Sequence, residues 1–174
     1  TTTSTNIAGL ALRKQETFRG GSIGSATSST DRQSITYFFG SLGEEKQDFS
    51  QSYSNNSVNR TTLFTYTSGV LTSSSTYKDT TVRTVKPTVI TTGTPTSSQI
   101  LSSALDSMTY FAGKEGDEKA NFSQNYYTGG ALVRNTTVFY YEDGNDTPDT
   151  NLERADTTTS TNIAGLALRK QETF

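Results

Sequence analysis

SITYFFGSLGEEKQDFSQSY, residues 34–53, returns as SMTYFAGKEGDEKANFSQNY at residues 107–126. The two stretches agree at 12 of 20 positions, in the order Ser, Thr, Tyr, Phe, Gly, Gly, Glu, Lys, Phe, Ser, Gln, Tyr. Alternate side chains of a strand point to opposite faces, so Ile35, Tyr37 and Phe39 share one face and Thr36 and Phe38 the other. Gly40 and Gly43 then interrupt the strand. A charged turn, Glu44-Glu45-Lys46, follows before Phe49 and Tyr53 resume the aromatic spacing. The reading is strand, turn, strand, made twice.

The duplication extends outward. After a two-residue change in loop length, TTLFTY (61–66) is matched by TTVFYY (136–141), Gly69 by Gly144, and Asp79-Thr80 by Asp156-Thr157. The first of these opens a hairpin, with Leu63 to Tyr66 outbound, Thr67-Ser68-Gly69 as the turn and Val70 to Tyr77 returning. SNNSVN at 54–59 is a loop by composition. The first eighteen residues, TTTSTNIAGLALRKQETF, recur letter for letter as 157–174. Placed in one register, the chain starts its pattern at 1, 80 and 157, in steps of 79 and 77 residues. An appended copy of a donor strand has no reason to land where a further repeat is due, whereas a tandem array predicts it. The organisation expected is a repeat half at 1–79, a second at 80–156, and the start of the next repeat at 157–174.

Outside these blocks the texture is Thr- and Ser-rich. Gly9, Gly20, Gly21 and Gly24 break any helical period in the first 33 residues. Pro87 and Pro95 demote 80–106 to edge strand or loop. SSQILSSALDSM (97–108) supports one short turn of helix at most. The fold class expected is all-β: an elongated tandem-repeat array, either a β-solenoid or stacked hairpins, with two homologous halves per 156-residue period. Burial in such an array comes from neighbouring repeats.

Composition agrees with that class. Thr and Ser number 33 and 22 of 174 residues, beside nine Tyr and nine Phe, a mixture suited to pleated, half-buried surfaces. A disordered Ser/Thr stalk would be depleted in aromatics, and here they cluster. Fifteen basic and 17 acidic residues leave a net charge of −2, with no electrostatic footprint for nucleic acid. No apolar run approaches the length that spans a bilayer. The sole Met is Met108, so a processed or excised piece is expected. Cys is absent, which excludes disulfides and thiolate chemistry.

TYFFGSLGEEKQDFSQSY and TYFAGKEGDEKANFSQNYYTGGALVRNTTVFYYEDG together resemble repeats of giant tandem-array surface proteins encoded in environmental bacterial genomes. Those repeats carry a TYF-x-G, a G-x-EKA-type charged turn, a QNY, an RNTT and an FYY cluster. The resemblance covers most of 34–79 and 107–156. The Phe-x-Tyr-x-x-Gly portion is also loosely similar to the YD repeats of Rhs-type proteins, although Thr67 stands where one copy would carry the Asp. Both resemblances imply a long, extracellular or cell-surface, mainly structural chain, and neither implies a catalytic residue.

The materials for catalysis are few. His and Cys are both absent, and with them the usual general base, thiol nucleophile and zinc ligands. The acid pairs Glu44/Glu45 and Asp117/Glu118 stand beside Lys46 and Lys119 between glycines and read as solvated turns rather than a glycosidase dyad. Asp143, Asn145, Asp146 and Asp149 form the best Ca²⁺ candidate, although they fit neither the EF-hand nor the Gly-rich nonapeptide spacing; no other cofactor is expected. N-x-Ser/Thr sequons fall at Asn55, Asn59, Asn121, Asn135 and Asn145. The aromatic clusters Tyr37, Phe38, Phe64, Tyr66, Tyr110, Phe111, Phe139 and Tyr141 are read as core and self-association residues, since strands apolar on both faces are usually covered on both. The expected partners are copies of the chain itself, with glycans as a further possibility. The expected function is a structural component of an extracellular filament or cell-surface stalk. The alternatives are an adhesin repeat that binds glycans or surfaces, and a pilin-like subunit completed by a donor strand from 1–18 or 157–174. An enzyme is not expected.

Overall fold

A computed structural model describes residues 9–20, 32–142, 152–156 and 167–174. Among these residues the regular elements are strands and one 3-10 turn, with no α-helix. The strands are β1 Lys14–Phe18, β2 Arg32–Phe39, β3 Lys46–Ser54, β4 Ser57–Thr67, β5 Val70–Lys78, β6 Thr88–Ile90, β7 Gln99–Leu101, β8 Leu105–Ala112, β9 Lys119–Tyr126, β10 Val133–Glu142, β11 Leu152–Arg154 and β12 Leu168–Thr173. Ten of them form one antiparallel sheet in the order β1-β2-β3-β4-β5-β8-β9-β10-β11, with β12 on the other edge of β10. The sheet is open, and each long strand lies beside the one before it in the chain.

Tight turns explain the sequential order. Asn55 and Asn56 have φ of 48° and 62°, the left-handed pair that a two-residue hairpin turn requires and that Asn tolerates. Ser68 and Gly69 repeat this between β4 and β5, at 49° and 87°. The β2–β3 turn is closed differently. Gly40 has φ +105°, and a Cβ there would lie 2.5 Å from the Glu44 carbonyl oxygen. Gly113 occupies the same place between β8 and β9, with φ +130° and 2.9 Å to the Asp117 oxygen.

One face of the first half carries the main core. Cross-strand partners share a face, and Ile35, Gln51, Thr61 and Tyr77 form one continuous row across β2 to β5, every member buried. The next row is Tyr37, Phe49 and Leu63, with Tyr37 and Phe49 stacked at 4.5 Å. The connection from β5 to β8 crosses this face. It contains the parallel pair β6–β7 and lays Ile100 and Ala104 against Phe49, Leu63 and Tyr77. The stretch from 80 to 106 therefore supplies a lid on the core as well as a linker. The 3-10 turn Ser102–Ala104 is the single helical turn expected from 97–108. A second, smaller cluster joins Tyr141 and Ala155, with Ala112 and Phe139 beside them.

Candidate functional site: the strand junctions

The place where one half meets the next is built from strand registers. Tyr37, Thr36, Ile35 and Ser34 of β2 pair with Lys14, Gln15, Glu16 and Thr17 of β1. Their counterparts in the second half, Tyr110, Thr109, Met108 and Ser107 of β8, pair with Ser73, Ser74, Ser75 and Thr76 of β5. Both pairings then slip by one residue, at Thr17/Phe18 and at Thr76/Tyr77. So β1 stands to β2 as β5 stands to β8, bulge included.

The downstream end gives the complementary relation. On β4, Thr62, Leu63, Phe64 and Thr65 pair with Thr76, Ser75, Ser74 and Ser73 of β5, and Tyr66 pairs with Leu71 after a bulge. On β10, the matching Thr137, Val138, Phe139 and Tyr140 pair with Thr173, Glu172, Gln171 and Lys170 of β12, and Tyr141 pairs with Leu168 after a bulge. So β12 stands to β10 as β5 stands to β4. The residues of β1 and of β12 are the same residues of the duplicated eighteen. That segment is thus present in two half-complete settings: at one end it makes the bonds that β5 makes to its follower, at the other those that β5 makes to its predecessor.

A side-chain clasp reinforces each junction. Glu45 accepts from its own turn, Gly43 N–H at 2.9 Å, and from the preceding strand, Leu12 N–H at 3.1 Å. Glu118 does the same with Gly116 N–H at 3.1 Å and Leu71 N–H at 2.9 Å. Leu12 and Leu71 hold equivalent places, two residues before Lys14 and Ser73, and Leu71 borders the β4–β5 bulge. Accepted backbone N–H bonds, with Arg13 nearby, hold the Glu45 carboxyl below its ordinary range. Lys46 adds a cross-junction contact, reaching the Gly69 carbonyl at 2.8 Å and the Glu115 carboxylate. The charged turn expected to be merely solvated therefore ties neighbouring strands together. The legible signal was its recurrence: an acid at the same place in both halves, two residues after the positive-φ Gly43 or Gly116 and one before a lysine.

The second notable group is polar and buried. Gln51 and Thr61 are fully enclosed, and Asp79 and Arg83 nearly so. The Gln51 amide donates to Thr61 Oγ1 at 2.9 Å and to the Thr81 carbonyl at 2.8 Å, while its oxygen accepts from Arg83 N–H at 2.9 Å. Thr61 donates to Asp79 at 2.6 Å, and Arg83 meets the same carboxylate through Nε at 2.6 Å and Nη2 at 3.1 Å. Burial pushes the Asp79 carboxyl up, but the hydrogen bonds from Arg83, Thr61 and Thr81 N–H outweigh it and leave it below its ordinary range. Each side-chain nitrogen and oxygen of the group has at least one partner. With Arg83 Nη1 also donating to the Ser97 carbonyl at 2.7 Å, the network ties the connection after β5 to β3 and β4.

The aromatic residues expected at the core divide by position. Tyr141 is buried, its phenol kept up in pKa by that burial and donating to the Ala120 carbonyl at 2.8 Å. Tyr37, Phe38, Phe64, Tyr66, Tyr110, Phe111 and Phe139 are half-buried. Tyr110 stacks on Phe122 at 4.4 Å, as Tyr37 does on Phe49. Phe49 itself, the largest fully buried side chain among the described residues, is marked in the sequence only by its recurrence as Phe122. Asp143, Asn145, Asp146 and Asp149 lie outside the described residues. Among the described residues no group of three acids is placed to hold a metal ion. Of the sequons, Asn121 is buried and accepts from Arg154, Asn59 and Asn135 bond to Ser52 and Asn125, Asn55 is an exposed turn residue, and Asn145 lies outside the described residues. No described helix is long and apolar enough to cross a membrane, which says nothing of strands.

Neither a protein-family model, nor a curated protein, nor a solved structure matches the chain.

Proposed function

We propose that the chain is a structural element of an extracellular filament or cell-surface stalk, in which four-stranded antiparallel units follow one another edge to edge. In this reading β2-β3-β4-β5 is one unit and β8-β9-β10-β12 the next. The observation that carries it is the double register identity of the duplicated segment. One sequence makes the backward junction at 168–173 and the forward junction at 14–18, with the equivalent partners and the equivalent bulges that β5 uses for both. A sheet that continues through such a strand needs no new contact type. Of the two architectures expected from sequence, the serial antiparallel order supports stacked hairpins over a solenoid.

The fibre axis then runs along the hydrogen-bond direction. Eight strands per 156-residue period, at about 4.8 Å each, give an axial rise of about 38 Å. Chains of one, two and three joined periods, compared by small-angle scattering, should lengthen by about that amount per period. A maximum dimension that hardly grows, with periods folded onto each other, refutes the reading. Surface placement is part of the same proposal, supported by the Thr/Ser-rich composition and the fibre architecture. Release of the protein from intact cells by external protease tests it, and full protection of the protein overturns it.

A further inference from the structure

We infer that the outer edge of β12 is a docking edge for the β2 strand of a second copy of this chain, in one defined register and by exchange with that copy's own β1. The inference deepens the filament reading and rests on it for the direction of growth. Its register, though, comes from the two junctions alone. β5 has β4 on one edge and β8 on the other. β12 uses the edge equivalent to the β5–β4 edge. Its remaining edge corresponds to the one β5 turns to β8, and the one β1 turns to β2.

Because β12 repeats β1, the incoming pairs are fixed: Lys170 with Tyr37, Gln171 with Thr36, Glu172 with Ile35 and Thr173 with Ser34 of the second copy. Side chains complete the match. Glu16 holds Arg32 at 2.9 Å and Lys14 at 3.2 Å. Glu172, the repeat of Glu16, already holds Lys170 at 2.6 Å and stands ready for an incoming Arg32. Leu168, the repeat of Leu12, brings its N–H to the Glu45 carboxylate of the second copy, in the geometry of the clasp at Leu12 and Leu71.

The obstacle is the second copy's own β1. The exchange replaces a strand by an identical one with the same bonds, so it is close to neutral in contacts, the general situation in domain swapping. What opposes it is tethering, because an attached strand acts at an effective concentration of mM order. The intact chain should therefore associate weakly, and loosening β1 should release association.

The experiment uses the full chain. Gln15→Pro with Glu16→Pro places proline at adjacent β1 positions, so one of the two lost N–H groups belongs to the β1–β2 ladder whichever phase applies. β12 keeps its sequence. Head-to-tail oligomers measured by sedimentation should rise roughly tenfold or more over wild type at equal concentration, and free peptide 157–174 should suppress them. Thr36→Cys with Gln171→Cys, added to that variant, should give a disulfide-linked ladder. The two positions lie seven strands apart within one chain, roughly 34 Å, so no internal bond can form. Phe38→Cys with Gln171→Cys is out of register and should cross-link far less.

A folded proline variant that stays monomeric overturns the inference. So does cross-linking indifferent to register, or dimers formed by Gln171→Cys alone, which would mean two β12 edges meeting each other. If the proline variant loses its circular dichroism, the cysteine pair in the otherwise wild-type chain at high concentration decides, and an absent ladder overturns the inference there. In-register ladders together with periods that fail to extend in scattering would remove the filament reading and leave the docking edge standing.

Discussion

Replacing Asp79 by Ala isolates the buried charge under the β5–β8 connection. Asp79 and Arg83 form an ion pair with side chains 6 % and 3 % exposed. The carboxylate takes two bonds from the Arg83 guanidinium, one from the Thr61 hydroxyl and one from Thr81 N–H at 3.1 Å. Its removal leaves a guanidinium that cannot lose its proton, shielded from water, with Ser97 O at 2.7 Å its remaining acceptor among the described residues. Deleting one partner of such a pair costs about 3–5 kcal/mol. That is a large fraction of the roughly 5–15 kcal/mol by which a domain is stable. Urea unfolding followed by circular dichroism should show the midpoint falling with the slope unchanged. The double variant Asp79→Ala with Arg83→Met removes the stranded charge and should recover about 1–3 kcal/mol of the loss. The acid limb gives a second readout. The folded Asp79 carboxyl is held below its ordinary range. Its contribution is therefore present above the unfolded value and is lost as pH falls through the lower folded one. Asp79→Ala should flatten that limb. A cost below about 1 kcal/mol, or a double variant no better than the single, would refute the view that this pair fastens the connection to the sheet.

Phe49→Ala should destabilise by about 3–5 kcal/mol, since it empties a fully buried ring site beside Tyr37, Leu63 and Ile100; Phe38→Ala and Phe111→Ala, at half-buried rings, should cost less, and equal losses in denaturant titrations would contradict the burial ranking. Gly40→Ala forces a Cβ against the Glu44 carbonyl at positive φ and should lower stability by about 1–3 kcal/mol, whereas Gly43→Ala, at positive φ but in open space, should cost less. Protection of the Leu12 amide in hydrogen exchange should be lost as pH falls through the lowered Glu45 value, and Glu45→Gln should weaken it already at neutral pH; an amide indifferent to both would exclude the clasp.

Most strands and turns were legible because they obey local rules, but 54–59, read as a loop, is a two-residue turn at Asn55 and Asn56 between the ends of β3 and β4. The period-2 aromatics of 34–53 and 107–126, the hairpin at 61–79 and the glycine stops needed only neighbours in sequence to be read. The buried network was not legible for the opposite reason. Gln51, Thr61, Asp79 and Arg83 are ordinary polar residues scattered over 33 positions, and only the register that makes Ile35, Gln51, Thr61 and Tyr77 one row brings them together. Nor does repetition reveal them. Gln124 and Thr136 are retained in the second half, where their contact is 3.5 Å, and Asp156 faces Arg154 instead, while Ser160 takes the sequence position of Arg83. The halves therefore share what builds strands and junctions and differ in what covers a face. Hydrogen bonding also draws a different correspondence from the one the sequence register draws. In sequence register 14–18 falls opposite 93–97, but by hydrogen bonding it is the counterpart of 73–77, because Lys14 to Thr17 meet β2 as Ser73 to Thr76 meet β8. Almost no identity links KQETF to SSSTY, so sequence comparison had nothing to align. β5, paired on both edges, is held through its backbone, which leaves its side chains free to diverge, while register is kept by the bulges and the Glu118 clasp beside it.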